Sequence, residues 1–186
     1  DSFVECDGYE FSCLCWALSR PSNSWMSACA SLATPFRSNV DVAPSVVRFL
    51  RAVATQPLTQ NFCFATADVA RLIWSFGSAG IRHHEFIRWC CEFIAQDIDA
   101  LSFSELSAVV YYLSRLRFYH AVLFDTLLQA ADRNTSKCGG ESVLYAMIGM
   151  SQMGFGKLQS FSGWIQQGLL CIERPDTTLK TKALLS

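Results

Sequence analysis

The sequence predicts an all-α protein, an α-solenoid of stacked two-helix repeats. Three observations predict it. Apolar residues recur every 37 residues from about 66 to 175, with no gap needed to keep register. Within each interval they fall at offsets of 3, 4, 7 and 10, which share one face of a helix. The chain of 186 residues is 51% apolar and only 17% charged, enough apolar material for a sizeable buried interior.

The first element is irregular. In residues 1–65, the run Phe11–Arg20 looks like the end of a repeat's first helix, because Trp16-Ala17-Leu18-Ser19 echoes Trp74-Ser75-Phe76-Gly77. Pro21–Asn23 would be its turn and Trp25–Leu32 its second helix. Pro44–Ala54 is a further helix, with Val46, Val47, Phe49, Leu50 and Val53 apolar, and Pro57–Phe64 is a loop. Leu18 and Phe76 are 58 residues apart, 21 more than one period, so an extra helix interrupts the array here and its pairing is open.

Residues 66–186 form the regular part, in units 66–103, 104–140 and 141–175, with 176–186 beginning another helix after Pro175. Helix A of each unit carries the main stripe. It is Val69, Leu72, Ile73, Phe76 and Ala79, then Leu106, Val109, Val110, Leu113 and Leu116, then Val143, Ala146, Met147, Met150 and Met153. A small residue recurs on its flank, at Gly77, Ser114 and Ser151, where a neighbouring helix could come close. A turn follows, holding a bulky apolar residue at Ile81, Phe118 and Phe155. Helix B then shows Phe86, Ile87, Cys90, Cys91 and Ile94 in unit one. The equivalents are Leu123, Phe124, Leu127, Leu128 and Ala131, then Ser160, Phe161, Trp164, Ile165 and Gly168. Its other face is polar, as at Glu85, Arg88 and Glu92. Start signals agree: Ser102 and Glu105 have capping-box spacing, Asp68 and Glu105 sit where the helix dipole favours acids, and Gly139-Gly140 breaks the chain before the third unit. One helix pair cannot bury both its faces, so the units must stack and share a continuous core.

Composition narrows function. Net charge is −1, which does not indicate a generic polycationic nucleic-acid binder and leaves room for a local basic stripe. The charge is uneven: residues 1–41 carry −3 and the remainder +2, and eleven of the fifteen bases are arginine, the residue suited to phosphate and interface contacts. Nine cysteines without any C-x-x-C lie mostly in apolar stripes, as buried free thiols of a reducing compartment would. No apolar run reaches the ~18–20 residues of a membrane helix. The opening at Asp1, without a signal peptide, fits a processed product or a piece of a longer protein. Neither a Gly-rich phosphate loop nor a nucleophile motif occurs, and the three histidines lie at turns, so no catalytic residue, cofactor or metal ligand is assigned.

The 37-residue period departs from the 34 of tetratricopeptide units and from the longer HEAT and armadillo units. The segments Val69–Gly80, Leu106–Phe118 and Val143–Phe155, ending in patterns such as Trp74-Ser75-Phe76-Gly77 and Leu113-Ser114-Arg115-Leu116, resemble another group. They are similar to the helical repeats of organellar RNA-binding proteins: the heptatricopeptide and octotricopeptide families and the Fas-activated kinase-like mitochondrial proteins, which often carry a RAP domain. The likeness covers roughly 66–175, with an echo at 11–33, and no RAP-like module is visible after it. It implies RNA binding in a mitochondrion or plastid, through helix A. The near-neutral charge then favours a non-catalytic structural subunit of an organellar ribonucleoprotein, a mitochondrial ribosome, touching rRNA and neighbouring proteins. Two alternatives fit the same architecture: a protein–protein scaffold without direct RNA contact, and an organellar RNA-processing or stability factor.

Candidate RNA contacts follow the period. Ser78, Arg115 and Gln152 are equivalent at the end of helix A. Earlier on it lie the rows Arg71, Ala108, Tyr145 and Ser75, Tyr112, Gly149. His83, His120 and Lys157 recur at the turn beside Arg82, His84 and Arg117, a row of donors that could follow phosphates. Arg48 and Arg51 share a face of the irregular helix and would form a basic spot with Arg71 if that helix stacks on the next unit. Trp16, Trp74 and Tyr111 occupy matching helix A positions and read as packing between units.

Overall fold

Each helix of the protein begins and ends where local chemistry allows. The computed structural model describes residues 7–19, 43–55, 63–126 and 140–154, and all regular structure among them is helical. Helix α1 (Gly8–Leu18) opens with a capping box: Asp7 accepts from the Glu10 amide at 2.7 Å, and Glu10 accepts from the Asp7 amide. Helix α2 (Pro44–Ala54) starts on a proline, whose missing N–H would have no partner in a first turn. Helix α3 (Thr66–Ala79) is started by Asp68, whose Oδ2 accepts from the Ala65 amide at 2.9 Å. Helix α4 (His84–Gln96) is followed by a 3-10 turn (Ile98–Ala100), and helix α5 (Phe103–Leu116) carries the Ser102–Glu105 capping box expected from the sequence. Residues 121–126 form α6, and α7 spans Gly140–Gln152.

Helices α3, α5 and α7 begin at residues 66, 103 and 140, successive offsets of 37. They also end alike. A left-handed residue follows each: Gly80 at φ 67° and Arg117 at φ 52° directly after α3 and α5, and Gly154 at φ 84° two residues after the end of α7. At the first two, the next amide reaches back to close the final turn, Ile81 to the Phe76 carbonyl at 2.9 Å and Phe118 to that of Leu113 at 3.0 Å. The following apolar residue is buried at Ile81 and half-buried at Phe118, as a plug between two helices should be. The equivalent Phe155 lies outside the described residues.

Packing puts α1, α3, α5 and α7 side by side, each on the next, while α4 folds back onto α3. The stripes read from the sequence form the interior. Val69, Leu72, Ile73, Phe76, Leu106, Val109, Val110 and Leu113 are fully buried, and Ala146 and Met150 continue the cluster on α7. From α4 come Phe86, Ile87, Cys90, Cys91 and Ile94, and from α6 Leu123 and Phe124. The rest of that second stripe, the third helix B, Trp25–Leu32 and 176–186 lie outside the described residues. Ile98 and Leu101, in and after the 3-10 turn, are buried as well; no stripe pointed to them.

Small residues set the spacing between neighbours. A Cβ on Gly77 would stand 2.6 Å from the Tyr112 Cβ of α5, and one on Gly149 would stand 3.0 Å from the Tyr111 backbone. The row Ser75, Tyr112, Gly149 therefore packs helix on helix. Ser75 is fully buried and Tyr112 is half-buried against Gly77. Of the predicted small flank, Ser114 is buried and Ser151 exposed. Rings fill the remaining seam: Trp16 meets Trp74 edge-on at 5.8 Å and Tyr112 at 6.1 Å, and Tyr111 meets Tyr112 at 5.2 Å and Tyr145 at 5.0 Å. Such pairs contribute ~0.5–1.5 kcal/mol each beyond area burial. Against this stands the buried Trp74 Nε1, which has no hydrogen-bond partner among the described residues, a cost of about 1–3 kcal/mol.

Two substitutions probe this design. Gly77→Ala overpacks α3 against Tyr112 and should lose about 1–3 kcal/mol, lowering the melting temperature by about 2–4 °C per kcal/mol. Arg117→Gly removes a left-handed strain of about 1–2 kcal/mol and adds back about 0.5–1 kcal/mol of unfolded-chain entropy. It should raise the midpoint by a few degrees; a lower midpoint in calorimetry would contradict this account of the turn.

Candidate nucleic-acid interface

Cations at a surface can meet phosphate only if their own neighbours leave them available. Arg71, half-buried on α3, is committed. Its Nη1 donates to Asp68 Oδ1 at 2.7 Å, and its guanidinium lies 5.0 Å from the centre of the Tyr9 ring on α1. Asp68 is buried, and Ser12 Oγ of α1 lies 3.3 Å from the same Oδ1. These contacts tie α1 to α3, so Arg71 serves as the counter-ion of a buried carboxylate. The i, i+3 spacing of Asp68 and Arg71 was a sequence signal for that pairing.

The end-of-helix row divides. Ser78 and Arg115 are half-buried. Gln152 is exposed but bound, with Oε1 2.9 Å from Ser114 Oγ across the α5–α7 seam. Ser114 Oγ also lies 2.6 Å from the Tyr111 carbonyl. One hydroxyl proton cannot serve both contacts, so it goes to the carbonyl when the Gln152 amide turns its NH2 toward Ser114.

The turn row is the most regular part of the candidate surface. His83 precedes α4 and its Nδ1 accepts from the Phe86 amide at 3.3 Å; His120 precedes α6 and its Nδ1 accepts from the Leu123 amide at 3.3 Å. Both histidines therefore cap helices. A ring that accepts at Nδ1 while neutral carries its proton on Nε2, leaving one donor available. Beside them Arg82, His84, Arg117 and Tyr119 are exposed, and the His84 ring lies 5.6 Å from that of Phe118, so the two turns adjoin. Among the described residues, the ion pair is Arg71–Asp68; the turn arginines have no carboxylate within reach. Lys157 lies outside the described residues.

Helix α2 supplies the remaining cations. Arg48 and Arg51 are both exposed. Arg51 joins Val47 and Thr55 in lining an open recess of about 710 Å³ with Ala79, Gly80, Ile81, Arg82 and His83. The basic spot thus forms around the α3–α4 turn, with Arg82 and His83 in the role anticipated for Arg71. Sequence periodicity could not show this, because α2 stands outside the period.

No family model matches this sequence, and no curated protein matches it either. Among the described residues, no group of three or more His, Cys, Asp or Glu could hold a metal ion. No helix among them is long and apolar enough to cross a membrane.

Cys13, Cys63, Cys90 and Cys91 are free thiols, and Cys15 is buried. Burial pushes the Cys91 thiol up to about 12, with Glu92 adding to the effect, and burial holds Cys90 well above its ordinary value, with Cys91 adding. The reactive thiolate is therefore scarce at both sites until the pH exceeds the raised values. Iodoacetamide at pH 8 should label exposed Cys63 in the folded protein and leave Cys90 and Cys91 unmodified. Raising the pH to 9 should not change that pattern, and denaturation should expose both, as peptide mass mapping would show.

Proposed function

We propose that this chain is an α-solenoid of 37-residue two-helix repeats, acting as a non-catalytic structural subunit of an organellar ribonucleoprotein. The assembly best matching the sequence resemblance is a mitochondrial ribosome, with rRNA and neighbouring proteins as partners and a plastid as the other compartment. One observation carries the reading: adjoining helix-to-helix turns at 37-residue spacing present Arg82, His83, His84, Arg117 and His120, with Tyr119 among them. Donors repeated along an edge suit a polyanion's backbone, and an exposed ring beside them offers a base a stacking face. The small net charge suits contact within a particle, where other subunits supply the rest of the affinity.

A second reading, a protein–protein scaffold, draws on one specific observation. Tyr119 and Val122 are 56% and 62% exposed and lie next to the same turn. Large side chains left in water there suit a protein neighbour.

The two readings separate experimentally. Arg82→Glu with Arg117→Glu should preserve folding, because both side chains are exposed. The pair should weaken retention on single-stranded RNA and reduce the slope of log affinity against log salt by about 0.7 for each phosphate that is no longer neutralised. Unchanged filter binding at low salt would overturn direct RNA binding. Protein partners that persist after complete RNase digestion, and are released by Tyr119→Asp, would favour the scaffold.

A further inference from the structure

The recess between α2 and the α3–α4 turn has a two-sided lining. Half-buried Val47 and Ala79 give an aliphatic side, with Ile81 buried behind it, while Arg51, Arg82, Thr55 and His83 line the rest. Among the described residues, no carboxylate belongs to the lining. Among the described residues neither arginine has an ion-pair partner. Glu85, in the first turn of α4, is exposed and outside the lining. Two like charges brought to one concavity repel each other, and an anion between them relieves that repulsion with charge-assisted hydrogen bonds.

The volume, about 710 Å³, falls within the roughly 300–1,000 Å³ of small-molecule sites. A bare phosphate would satisfy the arginines and leave the exposed parts of Val47 and Ala79 in water. A phosphorylated sugar would do little better. A ligand that joins a phosphate to a flat, weakly polar ring uses both sides at once.

We propose that this recess binds a single phosphorylated nucleotide, with Arg51 and Arg82 holding the phosphate and Val47 and Ala79 receiving the base. The nucleotide is either free or the 5′-phosphorylated end of an RNA strand; the chemistry is shared. The site shares Arg82 and His83 with the turn edge proposed above, but it adds Arg51 and needs neither Arg117 nor Tyr119.

Calorimetric titration of the full chain tests it, with AMP, ribose 5-phosphate and inorganic phosphate as probes. AMP should bind at least fivefold more tightly than either of the others. Arg51→Gln with Arg82→Gln should weaken AMP at least tenfold at an unchanged melting temperature, whereas Arg88→Gln, on the exposed face of α4, should leave it as it was. Equal binding of AMP and ribose 5-phosphate would overturn the role of the base. Equal AMP binding by the wild type and the double variant, or no binding by the wild type, would overturn the site. Photo-crosslinking with 8-azido-AMP gives a readout independent of charge: label within 44–55 or 79–83 supports the site, and label elsewhere overturns it. A 5′-phosphorylated oligonucleotide that binds through Arg51, where its 5′-hydroxyl form does not, identifies the strand end as the source. AMP binding that survives Arg117→Glu while RNA retention falls shows that the recess and the turn edge are separate.

Discussion

Helix α3 has neighbours on three sides, and that constraint governs the rest of the molecule. It packs against α1, α4 and α5. A helix so enclosed cannot keep a wide polar face. Nine of its fourteen residues are buried, including Asp68 and Ser75. The enclosure explains Gly77, where α5 approaches too closely for a methyl group. It also explains the Asp68–Arg71–Tyr9 arrangement, since a carboxylate buried at the α1 contact needs a cation and hydrogen-bond donors around it.

The same enclosure decides where function can reside. Side chains on the middle of α3 and α5 are used up in helix packing, so among the described residues the exposed arginines lie at the turns, on α2 and, at Arg88, on the outer face of α4. The turns are fixed in space by what ends one helix and starts the next: a left-handed residue at Gly80 and Arg117, and a histidine cap at His83 and His120. A rigid turn holds its neighbours' side chains in constant relation, as ligand recognition requires.

Much of the fold was legible because the signals are local. Apolar spacing on each helix A, the Ser102–Glu105 box and the small residue at Gly77 all report on packing that repeats. The echo of Trp16 in Trp74 was legible too, and α1 does pack on α3. The position of α2 was not, because a helix outside the period has no register to borrow. The Asp7–Glu10 box carries the same spacing as Ser102–Glu105 and was readable in principle. The candidate site was less legible. A cation's availability depends on its partner, and Arg71 belongs to Asp68. Ser75, Tyr112 and Gly149 looked like surface because each lies off the main stripe; a helix flanked on both sides buries those positions as well.

The ring cluster at the α1–α3–α5 seam has a practical consequence. Trp16 and Trp74 stand 5.8 Å apart, with Tyr112 6.1 Å from Trp16. Indoles this close and held at a fixed angle couple their transition dipoles, giving a near-ultraviolet dichroism signal that one isolated ring would not produce. Since one indole belongs to α1 and the other to α3, the signal follows the docking of the first helix on its neighbour. The molecule carries an internal optical gauge for the joint between α1 and α3.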